Sequence, residues 1–139
     1  MKLTITMLLL LLAITAYMAQ GRVPETPAVI SAVAPVYPAI ALAAHGSGDV
    51  IVVATINKSG GVTSARVRSG HNLLQKVSVE AARRWTFSTS SEDRRDVELT
   101  FSFRIMPDKT AGIDRTPVFY PPYHVEVRSD SGIVNTTNY

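Results

Sequence analysis

Residues 97–105 read Val-Glu-Leu-Thr-Phe-Ser-Phe-Arg-Ile, an unbroken alternation of apolar and polar side chains. Successive side chains of a β-strand point to opposite faces of the sheet, so this segment carries one apolar face and one wet one. The same order wound into a helix would scatter its apolar groups round the axis. The chain therefore needs partner strands beside this segment and a cover over its apolar face.

Two more strands are legible upstream. Val50 to Ile56 is a near-continuous β-branched run, the mark of a strand covered on at least one face and central in its sheet. Asn57-Lys58-Ser59-Gly60-Gly61 is turn chemistry, with the glycines expected at positive φ, and Val62 to Arg68 returns with half-buried alternation. The cover comes from two helices. Pro38 fits a first turn, Ala39 to Ala44 follow it, and Gly46 and Gly48 are expected to stop it. Asn72 is the expected N-cap of a second helix over about Leu73–Trp85, with Leu73, Leu74, Val77, Ala81 and Trp85 at helical spacing. The order helix–strand–strand–helix–strand predicts an α+β domain: a three-stranded antiparallel sheet, spatial order two-one-three, with both helices on one face.

The ends divide off by composition. Lys2, the apolar run Leu3–Met18 and the small residues of Ala19-Gln20-Gly21 predict an export signal over residues 1–21, cleaved after Gly21, the alternative being an uncleaved anchor. Residues 22–36, with Pro24, Pro27 and Pro35, are expected to run extended and exposed. The domain spans 37–106. Residues 107–139 form a Pro- and Tyr-rich tail in which the alternation of Tyr123–Val127 allows one extra strand.

Several functions are disfavoured. With no cysteine there is neither a disulfide framework nor a thiolate metal site. A net charge of +3 gathers into no basic stripe, so nucleic acid is not an expected partner. His45, His71 and His124 lie on separate elements without metal-ligand spacing, and no nucleophile–base pair is evident, so neither cofactor nor catalysis is expected.

In order, Tyr37-Pro38, Gly48-Asp49-Val50, Gly60, Val62, Ala81, Arg84-Trp85, Phe87 and Phe101–Phe103 resemble the TonB C-terminal domain family across Tyr37 to about Ile105. TonB couples inner-membrane energy to outer-membrane receptors. The resemblance implies a periplasmic binding domain, or one anchored in the inner membrane and facing the periplasm. It also implies a partner, an extended segment of an outer-membrane TonB-dependent receptor, added as a strand to the edge of strand three. An unpaired edge presents N–H and C=O groups that such a segment satisfies. The implied contact residues are Val97, Glu98, Leu99, Thr100, Phe101, Ser102, Phe103 and Arg104, with Ala34, Pro35, Val36 and Tyr37 as a secondary contact. Pro38, Gly48, Gly60, Arg84 and Trp85 are the structural motif. A glutamine common near the start of the secondary contact is replaced here by Ala34. The apolar N-terminal run lacks the transducer's membrane histidine, and residues 22–36 are too short for its periplasmic spacer, so energy coupling by this chain alone is not expected. The alternative function is assembly, with the same edge pairing with a second copy or with the tail.

Overall fold

A computed structural model describes Leu3, Ile5, Met7, residues 26–107 and residues 115–131. The expected signal and its cleavage site fall largely outside them. No helix among the described residues is long and apolar enough to cross a membrane.

The elements are β1 (Val29–Ser31), α1 (Ala39–Ala43), β2 (Gly48–Ile56), β3 (Val62–Ser69), α2 (Asn72–Ala82), β4 (Thr86–Phe87), β5 (Arg95–Met106), β6 (Val118–Tyr120) and β7 (His124–Asp130). The order two-one-three expected from the sequence is present as β3-β2-β5, both pairs antiparallel. The sheet is nevertheless five-stranded and mixed, not three-stranded and antiparallel. β7 continues it in parallel with β5, and β6 closes it antiparallel to β7. Three strands cover too little apolar surface, and the tail supplies the shortfall with two strands rather than one.

The apolar face is one continuous core. Val50, Val52 and Ala54 lie opposite Phe101, Leu99 and Val97, and Val125 and Val127 extend the rows beside Phe101 and Phe103. Leu74, Ala81 and Ala82 of α2 and Ala41 of α1 cover it. Trp85 is 1 % exposed, lies edge-on to Phe101 at 5.9 Å, and donates its indole N–H to the Val33 carbonyl at 2.9 Å. That bond gives the buried indole the polar partner it needs and pins the extended entry segment to the domain.

The entry segment is extended but docked, not exposed throughout. Val29 pairs with Phe87 and Ser31 with Thr86 in a two-stranded ribbon, and the Ser88 N–H donates to the Ala28 carbonyl at 2.8 Å. Pro27 and Pro35 are buried. Three local details also depart from expectation. After α1 the first residue at positive φ is His45, at 53°, ahead of Gly48 at 113°, and the Gly46 N–H closes the turn on the Ala41 carbonyl. The cap of α2 is His71, whose Nδ1 accepts from the Leu73 N–H, and the helix ends at Ala82, short of Trp85. In the β2–β3 turn only Gly60 has positive φ, at 86°, and a Cβ there would lie 1.8 Å from the Phe87 carbonyl oxygen.

Candidate functional site

β5 brings together all eight residues of the expected contact strand and divides them twice. Val97, Leu99, Phe101 and Phe103 face the core, while Glu98, Thr100, Ser102 and Arg104 face the opposite side of the sheet. The backbone divides by the same two-residue repeat. The Thr100 N–H donates to the Tyr123 carbonyl at 2.9 Å, on the side away from β2. Residues at even numbers along β5 therefore direct N–H and C=O to that outer edge, and those at odd numbers direct theirs to β2. Of the eight, Glu98, Thr100, Ser102 and Arg104 own the edge.

That edge is not free over its downstream half. β7 lies along it in register from Thr100 opposite His124 to Met106 opposite Asp130. Val125 and Val127 are 3 % and 5 % exposed, so the tail strand is part of the core as well as a cover for the edge. Its entry is fixed by Tyr123, whose ring lies 5.9 Å from that of Phe87 and whose hydroxyl donates to the Pro27 carbonyl at 2.6 Å. Phe119 of β6 meets Trp85 at 6.0 Å.

On the other face a polar chain crosses three strands. The Ser102 hydroxyl donates to Asp49 Oδ1 at 2.7 Å and lies 2.8 Å from His124 Nε2. A hydroxyl has one proton, and Asp49 receives it, so His124 Nε2–H is the donor in the second bond. Arg104 adds a 3.0 Å contact to the same Asp49 oxygen. Serine, histidine and aspartate meet here in the wrong order for nucleophilic catalysis: the carboxylate takes the serine proton instead of orienting the imidazole, and Ser102 is 1 % exposed. Toward the start of β5 on the same face, Asp96 accepts from Thr55 Oγ1 at 2.6 Å and faces Arg66 at 3.6 Å, while Glu98 pairs with Arg68. The Thr55 hydrogen bond, with Arg66 beside it, holds the Asp96 carboxyl below its ordinary range.

The secondary contact residues lie elsewhere. Ala34, Pro35 and Val36 border a small hollow of about 120 Å³ with Val77, Glu80, Ala81 and Arg84, and Val36 is 79 % exposed. Tyr37 is a fastener: its hydroxyl donates to the Gly46 carbonyl at 2.6 Å and its ring stands edge-on to Phe103 at 5.2 Å. Burial pushes the Tyr37 phenol above its usual range, opposed by Arg104. Among the described residues no cluster of three or more His, Asp or Glu is placed to hold a metal.

Sequence reasoning missed the partnership of Pro27, Asp49, Tyr123 and His124 with this edge. The alternation at Tyr123–Val127 was the available signal, and nothing local told which strand it would join.

The structure is similar to the solution NMR structure of the Pseudomonas aeruginosa TonB C-terminal domain, at 22% identity and a TM-score of 0.48, over 59% of this chain and 90% of that one. No curated protein matches the sequence. A sequence model described as Gram-negative bacterial TonB protein C-terminal matches residues 33–106, more than half of the chain and ending where β5 ends. The chain belongs to the TonB C-terminal family.

Proposed function

We propose that this chain is a periplasmic TonB-like binding domain that takes up an extended segment of an outer-membrane receptor by adding it as a strand to the β5 edge, in exchange for β7. The observation that carries the reading is where the family unit stops. Its match ends at Met106, and the strand filling the edge beyond it, His124–Asp130, comes from outside the matched residues. An edge that already holds a strand in register has its donors and acceptors aligned for another. The Ala34–Val36 hollow is a secondary contact in the same proposal.

The occupied edge also supports a second reading, in which β7 is a permanent cap and the domain serves assembly. Comparing the full exported chain with one ending at Pro107 separates the two. The shortened chain, once shown folded by the near-ultraviolet signal of Trp85, is expected to retain outer-membrane receptors from a membrane extract more strongly than the full chain. Thr100→Pro, which removes an edge-directed N–H, is expected to abolish that retention. A folded shortened chain that retains no receptor would refute the exchange reading.

A further inference from the structure

β7 covers only part of the β5 edge. β5 begins at Arg95, five residues before the first paired position, Thr100. By the two-residue repeat that aims Thr100 outward, Asp96 and Glu98 aim their N–H and C=O groups the same way. Neither has a backbone partner on that side among the described residues. The tail supplies none, because ahead of Tyr123 it turns through Pro121 and Pro122 into β6, which pairs with β7 and not with β5. A hollow of about 460 Å³ stands where a strand would pass, bounded by Thr26, Pro27, Asp96, Val97, Glu98 and Tyr123.

We propose that Asp96 and Glu98 form a foothold at which an arriving peptide pairs before it displaces β7. The inference rests on the strand-exchange reading above and specifies its partner and its order of events. The occupant is an extended peptide that continues the row of β7 and so runs parallel to β5. Core-facing positions in that row alternate, as Val125 and Val127 show. The peptide therefore carries apolar, preferably β-branched, side chains at alternate positions with polar ones between. It also carries a non-proline extension on its N-terminal side to reach the foothold. Pairing begins on groups that are already open, then advances past Tyr123, replacing the tail one residue at a time. Without the foothold, β7 must leave first, exposing Val125 and Val127 together, which is costly and slow.

The test uses the full exported chain and two labelled peptides, one copying His124–Asp130 and one lengthened at its N-terminus by Thr-Val-Thr-Val. In the β5 register the added residues face Asp96 to Leu99. The longer peptide is expected to associate about tenfold faster, the equivalent of one or two added backbone hydrogen bonds. Glu98→Pro is expected to erase that advantage, and Glu98→Ala, which keeps the N–H and loses only the Arg68 pair, to preserve it. Equal association rates in the unaltered chain, or an advantage that survives Glu98→Pro in a folded variant, would overturn the foothold. A Val125→Asp chain, with β7 loosened, separates the two ideas. If it binds both peptides while the rates in the unaltered chain are equal, strand exchange stands and the foothold falls. If it binds neither, both fall.

Discussion

The outer strands on either side of the β2–β5 pair are held by different means. β2 and β3 are joined by a five-residue turn, and β3 buries little, with Ala65 and Val67 only partly covered. β7 joins β5 across residues 107–123 and in parallel, and it buries Val125 and Val127 almost completely. Closing a longer connection costs more chain entropy, and a parallel pair needs a crossover. The neighbour in sequence can therefore remain half wet, whereas the distant strand needs core side chains, the Ser102–His124 tie and the Tyr123–Pro27 tie to stay in place. A strand held by burial can be replaced by another bringing the same burial; one held by a tight turn cannot.

The strongest way to break this contrast is Val125→Asp, which leaves a charge in the core beside Phe101. A loss of about 4 kcal/mol is expected for the tail's attachment. Hydrogen exchange should rise across 124–130 while β2 and β3 stay protected, and uniform loss of protection would show that the two ends unfold as one. Gly60→Ala attacks the β2–β3 hairpin instead. Its Cβ cannot coexist with the Phe87 carbonyl, and its φ is unfavourable to any side chain, so about 2–3 kcal/mol is expected from urea unfolding. Here protection should fall at β3 and β4 and hold at β7.

The smallest effect is one of pH. Burial raises the phenols of Tyr37 and Tyr123 above the ordinary 10.0, Arg104 and Arg95 respectively opposing the shift. The fold thus favours the protonated forms. Their contribution is complete below 10.0 and is lost as pH rises through the raised values. Tyr123→Phe should flatten the alkaline limb of the pH–stability curve by less than about 1 kcal/mol, and an unchanged limb would show that burial of this phenol adds nothing to it.

The β2, β3 and β5 strands and the α2 stripe could be read from the sequence because each is set by neighbours a few residues away. The position of Val125 and Val127 could not, since a row of alternating residues fits any edge with a complementary face. Nor could the docking of Pro27 and Val33, which depends on Trp85 and Tyr123 reaching across more than fifty residues of chain. His71 as a cap and His45 at positive φ broke simple rules because asparagine and glycine stood next to them as better candidates. The strand holding Val97 to Arg104 was located by its pattern. Which of its groups point outward, and which of those are already taken, required the register.

The bond from Tyr123 to Pro27 also fixes a direction of approach. Thr26 and Pro27, on the N-terminal side of the domain, lie on the rim of the hollow beside Asp96 and Glu98. β7 then carries the chain to the far end of the sheet, about 20 Å away at Asp130. Under the proposed strand exchange, a tether, membrane or fused protein attached just ahead of Thr26 would crowd the approach of the incoming strand, whereas an attachment after Ser131 would leave it clear. A label meant to be silent in such a domain belongs at its second end.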